Sequence, residues 1–316
     1  MPGLPELPYS AWEPTKQTLH LYVQIVGKIK LATTQPRNHW WNVALYVDVR
    51  GLTTRRLISG ATGFDLTFDF LDHRLVLRTD RGATSGFALE DGLTVAAFDD
   101  ELHRLLRDHG VDVEIHEHPF GIPVTMPFVQ DDEHASYDRE YVERYWRVLG
   151  WIDGVLDEFS GWFCGKQSPV HLFWHSLDLA YSRFSGRRAP ELVDADAVTR
   201  EAYSHEVISF GFWAGDESTP EPSLYSYTAP EPPGLPDHTL YPATARWREG
   251  PTGSLALLPY DEVRTAPDPR RRLLAFLQSA YQAGVDATGW PADELASSSC
   301  PSPIELQQLT APVVST

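Results

Sequence analysis

Alternating apolar and polar positions predict antiparallel strands in the first third of the chain. Residues 43–49 and residues 64–70 each place an apolar side chain at every second position, and Leu75 and Leu77 continue the alternation after a short turn. This spacing is typical of half-buried strands joined as a meander. An amphipathic helix around Phe98–Leu106 should follow and stop near Gly110, with a further strand at residues 111–115.

Residues 15–34 fit two patterns at once. Leu19, Leu21 and Val23 alternate as in a strand, whereas Leu19, Tyr22 and Val23 also fall on one face of a helix. An uninterrupted element of this length is more often a helix than a strand, so we predict a helix here.

The clearest periodic pattern lies in the middle of the chain. Apolar residues recur at three- and four-residue spacing from about 138 to 165, and Asp138 is a suitable N-cap, so a long helix is predicted. Shorter strands are predicted at 202–213, 223–227 and 254–259, and another helix at 268–289. The sequence therefore predicts an α+β protein, with antiparallel sheet meanders packed against three or four helices.

Composition divides this chain into four parts. Residues 1–14 are proline-rich and predict an N-terminal arm, and residues 15–118 predict an α+β subdomain. Three prolines near 119–127 interrupt the pattern, so residues 119–290 should form a second α+β subdomain that meets the first near 119–138. Residues 291–316 are rich in Ser, Ala, Pro and Thr, which predicts a disordered tail.

The charge excludes some partners. A formal net charge of −18 argues against nucleic acids and anionic membrane surfaces, because both require clustered Lys and Arg. Cys164 and Cys300 are the only cysteines, which fits a reducing compartment, and the first residues do not match a signal peptide. These features predict a cytoplasmic protein without nucleic-acid or membrane partners, and leave its oligomeric state open.

Candidate chemistry concentrates in residues 168–187, an apolar stretch that also carries ionisable groups. A local metal site of His171, His175 and Asp178 would need a helix, because residues four apart on a strand are about 13 Å apart. Proline and aromatic residues favour strand, which disfavours that site.

A site distributed over several elements is the stronger hypothesis. Histidines and carboxylates from separate elements could act as acids and bases or hold a divalent metal. Arg183 could pair with a carboxylate or phosphate. They could equally be structural groups that hydrogen-bond inside a core, so no metal ligand is assigned. The candidate catalytic residues are His134, His171, Asp178, Arg183, His205 and Glu206.

Aromatic residues could form the walls of a binding pocket. His39, Trp40 and Trp41 lie in one predicted loop, where the rings could stack on a flat ligand or close the edge of the core. Trp174 and Tyr203 flank the candidate polar residues and complete the predicted ligand-binding set.

Several sequence strings resemble a bacterial family known as domain of unknown function 5996. They include Asn38-His39-Trp40-Trp41, Phe70-Leu71-Asp72-His73-Arg74-Leu75, His134-Ala135-Ser136-Tyr137-Asp138, Arg183-Phe184-Ser185-Gly186-Arg187 and Glu201-Ala202-Tyr203-Ser204-His205-Glu206. The resemblance spans roughly residues 8–290 and implies no activity. The family pattern has glycine where this chain has His175, which argues against an essential role for that side chain.

Two functions remain open at this level. The first is an enzyme that acts on a small anionic or aromatic molecule through a His/Asp/Glu/Arg pocket at the junction of the two subdomains. The second is a non-catalytic module that binds a small molecule or a protein and whose histidines are structural. The sequence determines neither the reaction nor the substrate.

Overall fold

The α+β class is confirmed by a computed structural model, which describes residues 3–250 and 253–310. The helices are α1 (Tyr9–Thr33), α2 (Val95–Asp108), α3 (Arg139–Ser160), α4 (Ala197–Ala202), α5 (Tyr260–Arg264), α6 (Pro269–Thr288), α7 (Ala292–Leu295) and α8 (Pro303–Thr310). The strands are β1 (Tyr46–Asp48), β2 (Gly51–Thr53), β3 (Leu57–Ser59), β4 (Thr62–Asp69), β5 (Arg74–Thr79), β6 (Thr84–Ala88), β7 (His171–Phe173), β8 (Asp178–Arg188), β9 (His205–Trp213), β10 (Ser223–Ala229), β11 (Arg246–Gly250) and β12 (Gly253–Pro259).

The described residues form two compact units. Residues 7–150 and 171–178 form the N-terminal unit, and the other described residues form the C-terminal unit. The segment 119–138, where a division was predicted, lies inside the N-terminal unit. Residues 3–6 already belong to the C-terminal unit. The chain enters that unit again at residue 151, returns to the N-terminal unit for residues 171–178, and then completes the C-terminal unit.

The N-terminal unit contains the predicted meander. Its antiparallel sheet has the order β1-β2-β4-β5-β6, with β3 also paired to β4. Leu66 pairs with Leu77 and Phe68 with Leu75, so apolar side chains of adjacent strands lie on one face. All four are fully buried, which explains why alternation identified these strands. Residues 111–115 form no strand, contrary to prediction.

Helix α1 confirms the helical interpretation of residues 15–34 but begins earlier, at Tyr9. Residues 9–14, predicted as part of an arm, are therefore helical. The reason is Trp12, which is 1% exposed and packs 5.2 Å from the Tyr145 ring, so burial of this tryptophan holds the first turns in place.

The C-terminal unit contains five antiparallel strands in the order β11-β12-β10-β9-β8. Helix α6, capped by the Asp268 side chain, packs on β9 and β10. The approach is close at Gly284, where a Cβ atom would lie 2.6 Å from Ile208 Cδ1. Glycine at this position therefore lets the helix lie directly on the sheet.

The segment 291–310, called the C-terminal strap below, corrects the predicted disordered tail. It forms α7 and α8, and α8 packs on α6. From the end of α7 onward the backbone pairs with the residues that follow α3: Cys164 N donates to Leu295 O at 2.9 Å and Ser297 N to Trp162 O at 3.0 Å. Backbone pairing compensates for a composition poor in large apolar residues. Residues 311–316 of the predicted tail lie outside the described residues.

In the described ranges, no helix combines the length and the apolar character needed to cross a membrane.

Candidate functional site

Arg183 differs from other arginines of the C-terminal unit in its burial and in its partners. It is 1% exposed, on strand β8, where Tyr181 shares its face two residues earlier. Other arginines of this unit form ion pairs with carboxylates, namely Arg187, Arg246, Arg264 and Arg270. No such ion pair is found for Arg183 in the part of the chain that the structure describes.

Aromatic rings and neutral oxygens surround this guanidinium instead. Its carbon atom lies 3.7 Å from the centre of the Phe159 ring and 4.5 Å from that of Tyr281. Nε donates to the Tyr181 hydroxyl at 3.1 Å, and Nη2 donates to the carbonyl of Phe159. Rings and dipoles offset only part of the cost of burying a charge, so a counter-ion would be favourable here.

A cavity of about 580 Å³ lies beside Arg183, within the C-terminal unit. Helix α6 forms one wall and the C-terminal strap another. The buried part of the lining comes from Trp162, Arg183, Gln278, Ser279 and Tyr281, and more exposed parts come from His238, Tyr241, Gln282, Asp286, Asp293 and Cys300. The volume falls within the range of about 300–1,000 Å³ typical of small-molecule sites.

Gln278 contributes a second polar group to this lining. It is 7% exposed, and among the described residues its side-chain amide has no hydrogen-bond partner. The neighbouring Ser279 differs: its hydroxyl donates to Phe276 O and accepts from Tyr241 N, both at 2.9 Å. Its amide atoms are not among the fully buried polar atoms that lack a partner, so the amide is a polar group of the cavity lining that a ligand could contact.

The Tyr281 hydroxyl and the Cys300 thiol of the lining are both neutral near pH 7. Burial raises the pKa of the Tyr281 hydroxyl, and the charge of Arg183 opposes this only in part. Burial likewise raises the pKa of the Cys300 thiol, again against Arg183. Because thiolate is the reactive form of cysteine, this environment favours an unreactive thiol.

Of the predicted site residues, Arg183 alone lines the cavity. In the same unit, Glu206 accepts from Arg187 Nε and Ser185 Oγ, each at 2.8 Å, and from Trp290 Nε1 at 3.1 Å. His205 Nδ1 lies 3.1 Å from Ser204 Oγ, and burial lowers the pKa of His205. The Tyr203 hydroxyl donates to that of Tyr227 at 3.5 Å.

The network around Glu206 gives a testable structural role. Replacing Glu206 by glutamine removes its charge-assisted bonds to Arg187 and Trp290, and since Glu206 is partly exposed we expect a loss of about 1 kcal/mol in unfolding free energy. Urea denaturation measures the change, with the exposed Glu249→Gln as control. Unchanged stability would contradict this role.

The other predicted residues belong to the N-terminal unit and do not line the cavity. His134 Nδ1 lies 2.8 Å from Oδ2 of the fully buried Asp131, three residues earlier. His171 is buried in β7 with its ring 4.5 Å from Phe173, and Ser176 donates to Asp178.

The predicted aromatic walls differ in burial. Trp174, 5% exposed, packs against Gly27 of α1 in the core of the unit. His39 is buried beside Trp41 at 5.3 Å between ring centres, and Trp40 and Trp41 are half-buried. Trp174 is thus a core residue rather than a wall of the cavity.

The local metal site is not formed. Among the described residues there is no group of three or more His, Cys, Asp or Glu side chains that could hold a metal ion. His171 lies on strand β7 and His175 in the turn that follows it, so the helical spacing that would bring them together is absent.

The cavity residues other than Arg183 were not recognised from the sequence. Gln278 interrupts the apolar face of α6 between Leu277 and Ala280, and a polar residue inside such a stripe was an available indication. Asp293 joins the lining through the fold of the strap, which composition did not predict, and Asp286 lies on α6 beside it in the same lining.

Fold and site together describe a two-unit α+β protein with a buried arginine beside a cavity. A family model described as a family of unknown function, DUF5996, matches residues 4–297, and the chain belongs to that family. Comparison with curated proteins and with solved structures gives no match. The matched region includes Arg183 and Gln278 but ends before Cys300 of the cavity wall.

Proposed function

We propose that this protein binds a small organic anion in the cavity, with the anionic group on Arg183. The observation that carries the proposal is the burial of Arg183 without a carboxylate partner in the described chain. A guanidinium has five N–H groups, and two of them donate to Tyr181 and Phe159. The Tyr281 hydroxyl also interacts with Arg183, which leaves at least two N–H groups for the two bonds that a carboxylate or phosphate accepts.

Gln278 and the aromatic rings support the same proposal. The amide of Gln278 in the cavity lining can bond a second polar group of the ligand, and the Trp162 and Tyr281 rings offer apolar surface to the rest of the ligand. The Tyr281 hydroxyl, held neutral by burial, can donate. The lining therefore provides an anion site, an amide and an apolar wall within one cavity.

Binding is favoured over bond-making chemistry. Ser279 is committed to Phe276 O, and burial favours the protonated thiol of Cys300, so neither is activated as a nucleophile. Of the two interpretations left open by the sequence, the non-catalytic small-molecule module is the one we propose.

Replacing Arg183 by methionine tests the proposal. A panel of carboxylates and phosphate esters is screened by thermal shift at fixed ionic strength, and compounds that stabilise the wild type are measured by calorimetry. We expect Arg183→Met to weaken binding about a hundredfold, because truncating one partner of a buried charged pair costs about 2–5 kcal/mol. Arg183→Lys, which keeps the charge but loses the planar fork, should be intermediate.

Two further variants make the test specific. Arg187→Met removes an exposed arginine of the same strand that does not line the cavity, and it should leave the affinity unchanged. Gln278→Met should weaken binding about tenfold without destabilising the free protein, since no hydrogen bond is lost on folding. Equal affinity in wild type and Arg183→Met, or no stabilisation by any anion in the panel, would refute the proposal.

A further inference from the structure

Charges along the cavity lining are arranged by sign. Arg183 is buried, and it is the one lysine or arginine among the lining side chains that the structure describes. Asp286 and Asp293 line the same cavity but are exposed, so they lie toward its mouth. A ligand that occupies the cavity therefore meets a cation inside and carboxylates near the opening.

The two mouth carboxylates have capacity for a ligand. Asp286 Oδ1 accepts from Gln282 Nε2 at 2.7 Å, which leaves Oδ2 available. In the described ranges, neither Asp286 nor Asp293 takes part in an ion pair, whereas Glu158, Glu206 and Glu221 of the same unit each pair with an arginine.

Helix α6 sets the scale of the charge separation. Gln278, Gln282 and Asp286 follow one another at four-residue spacing, so they form a single stripe along the cavity wall. At a rise of about 1.5 Å per residue, Gln278 and Asp286 are roughly 12 Å apart along the helix axis. Tyr281, whose ring touches Arg183, lies between them.

We propose that the ligand is an amino carboxylate with separated charges, such as an ω-amino acid or a short peptide. Its carboxylate lies on Arg183, with Gln278 as a second donor, and its ammonium lies between Asp286 and Asp293 at the mouth. This inference rests on the proposed anion site and adds the second charge. An α-amino acid is too short to span the stripe, whereas a chain of several methylenes or peptide units reaches it.

Ligands matched in length distinguish the contribution of the ammonium group to binding from that of the carboxylate. Calorimetry compares β-alanine, γ-aminobutyrate and 6-aminohexanoate with alkanoates of equal length, on wild type, Asp286→Asn/Asp293→Asn and Arg183→Met. We expect 6-aminohexanoate to bind the wild type about tenfold more tightly than hexanoate. The Asp286→Asn/Asp293→Asn variant should lose this preference and still bind hexanoate, and Arg183→Met should lose both ligands.

A control variant accounts for overall charge. Glu249→Gln/Glu294→Gln removes two exposed carboxylates that do not line the cavity, and the preference for the amino carboxylate should persist. If hexanoate binds the wild type as tightly as 6-aminohexanoate, or if the preference survives in Asp286→Asn/Asp293→Asn, the zwitterion inference is wrong while the anion site stands. If no compound of either series binds the wild type, the zwitterion inference is wrong, and the anion proposal fails with it when no phosphate ester of the thermal-shift panel stabilises the protein either.

Discussion

Replacing Gly27 by alanine is expected to destabilise the protein by about 3 kcal/mol, although alanine is the better helix former by about 1 kcal/mol. Gly27 lies within α1, and a Cβ atom there would be 2.2 Å from Cγ and 2.4 Å from Cδ1 of Trp174. The indole has little room to retreat, since it is 5% exposed and lies edge-on to the Phe120 ring at 6.5 Å. Thermal and urea unfolding measure the loss.

Gly154→Ala is the matched control for this prediction. Gly154 also lies within a long helix, α3, but a Cβ atom there would meet nothing within 4 Å. This change should stabilise the protein by up to about 1 kcal/mol through helix propensity alone. In Gly27→Ala/Trp174→Phe the smaller ring should leave the double variant more stable than the sum of the single changes. A Gly27→Ala variant as stable as wild type would show that the indole can move away.

The environment of Gly27 also explains why the period of α1 was ambiguous. Leu19, Leu21, Tyr22 and Val23 are all fully buried, so apolar residues occupy both the strand period and the helix period. A helix that is apolar on every side gives no amphipathic stripe, and only its length distinguishes it from a strand. By contrast α3 and β5 each have a buried face and a more exposed face, and periodicity alone identified them.

Elements that are held in place by backbone pairing could not be predicted from the sequence. The strap lacks an apolar stripe, and what orders it includes the bonds of Leu295 and Ser297 to residues more than a hundred positions away. Pairing of this kind leaves no periodicity. For the same reason Arg183 could be singled out as a charged residue in an apolar stretch, but its cavity partners could not, because most of them come from the strap and from α6.

Ionisable residues were identified from the sequence where they interrupt an apolar stretch, but a buried one inside a predicted helix was not. His20 lies in the middle of α1, and its Nε2 lies 3.1 Å from the carbonyl oxygens of both Trp174 and His175. Carbonyl oxygens only accept, so Nε2 carries the proton. The contact uses the backbone of residue 175 and not its side chain.

Stability is expected to fall in mild acid because of His20. Burial and the nearby charge of Lys16 lower the pKa of His20 from 6.5 to about 3. Below pH 6.5 the unfolded chain takes up a proton that the folded protein does not, so protonation favours unfolding until the pH reaches about 3. From this residue alone we expect the free energy of unfolding to decrease by about 2 kcal/mol between pH 6.5 and pH 4.5.

Comparison with His20→Gln isolates this contribution. Glutamine keeps an N–H donor for the Trp174 and His175 carbonyls but does not titrate, so the variant should lose less stability over this range than the wild type. His73 and His205, whose pKa values burial also lowers, and His103, whose pKa Asp99 raises, titrate in both proteins and cancel in the difference. His175 interacts with His20, so its contribution is part of the difference that the His20→Gln variant measures. Urea unfolding at pH 7.5, 6.5, 5.5 and 4.5 gives the two curves. Parallel curves would contradict this prediction, because they would mean that His20 also binds a proton in the folded state. The buried ring would then be an imidazolium, and its Nδ1–H would need a hydrogen-bond acceptor inside the core.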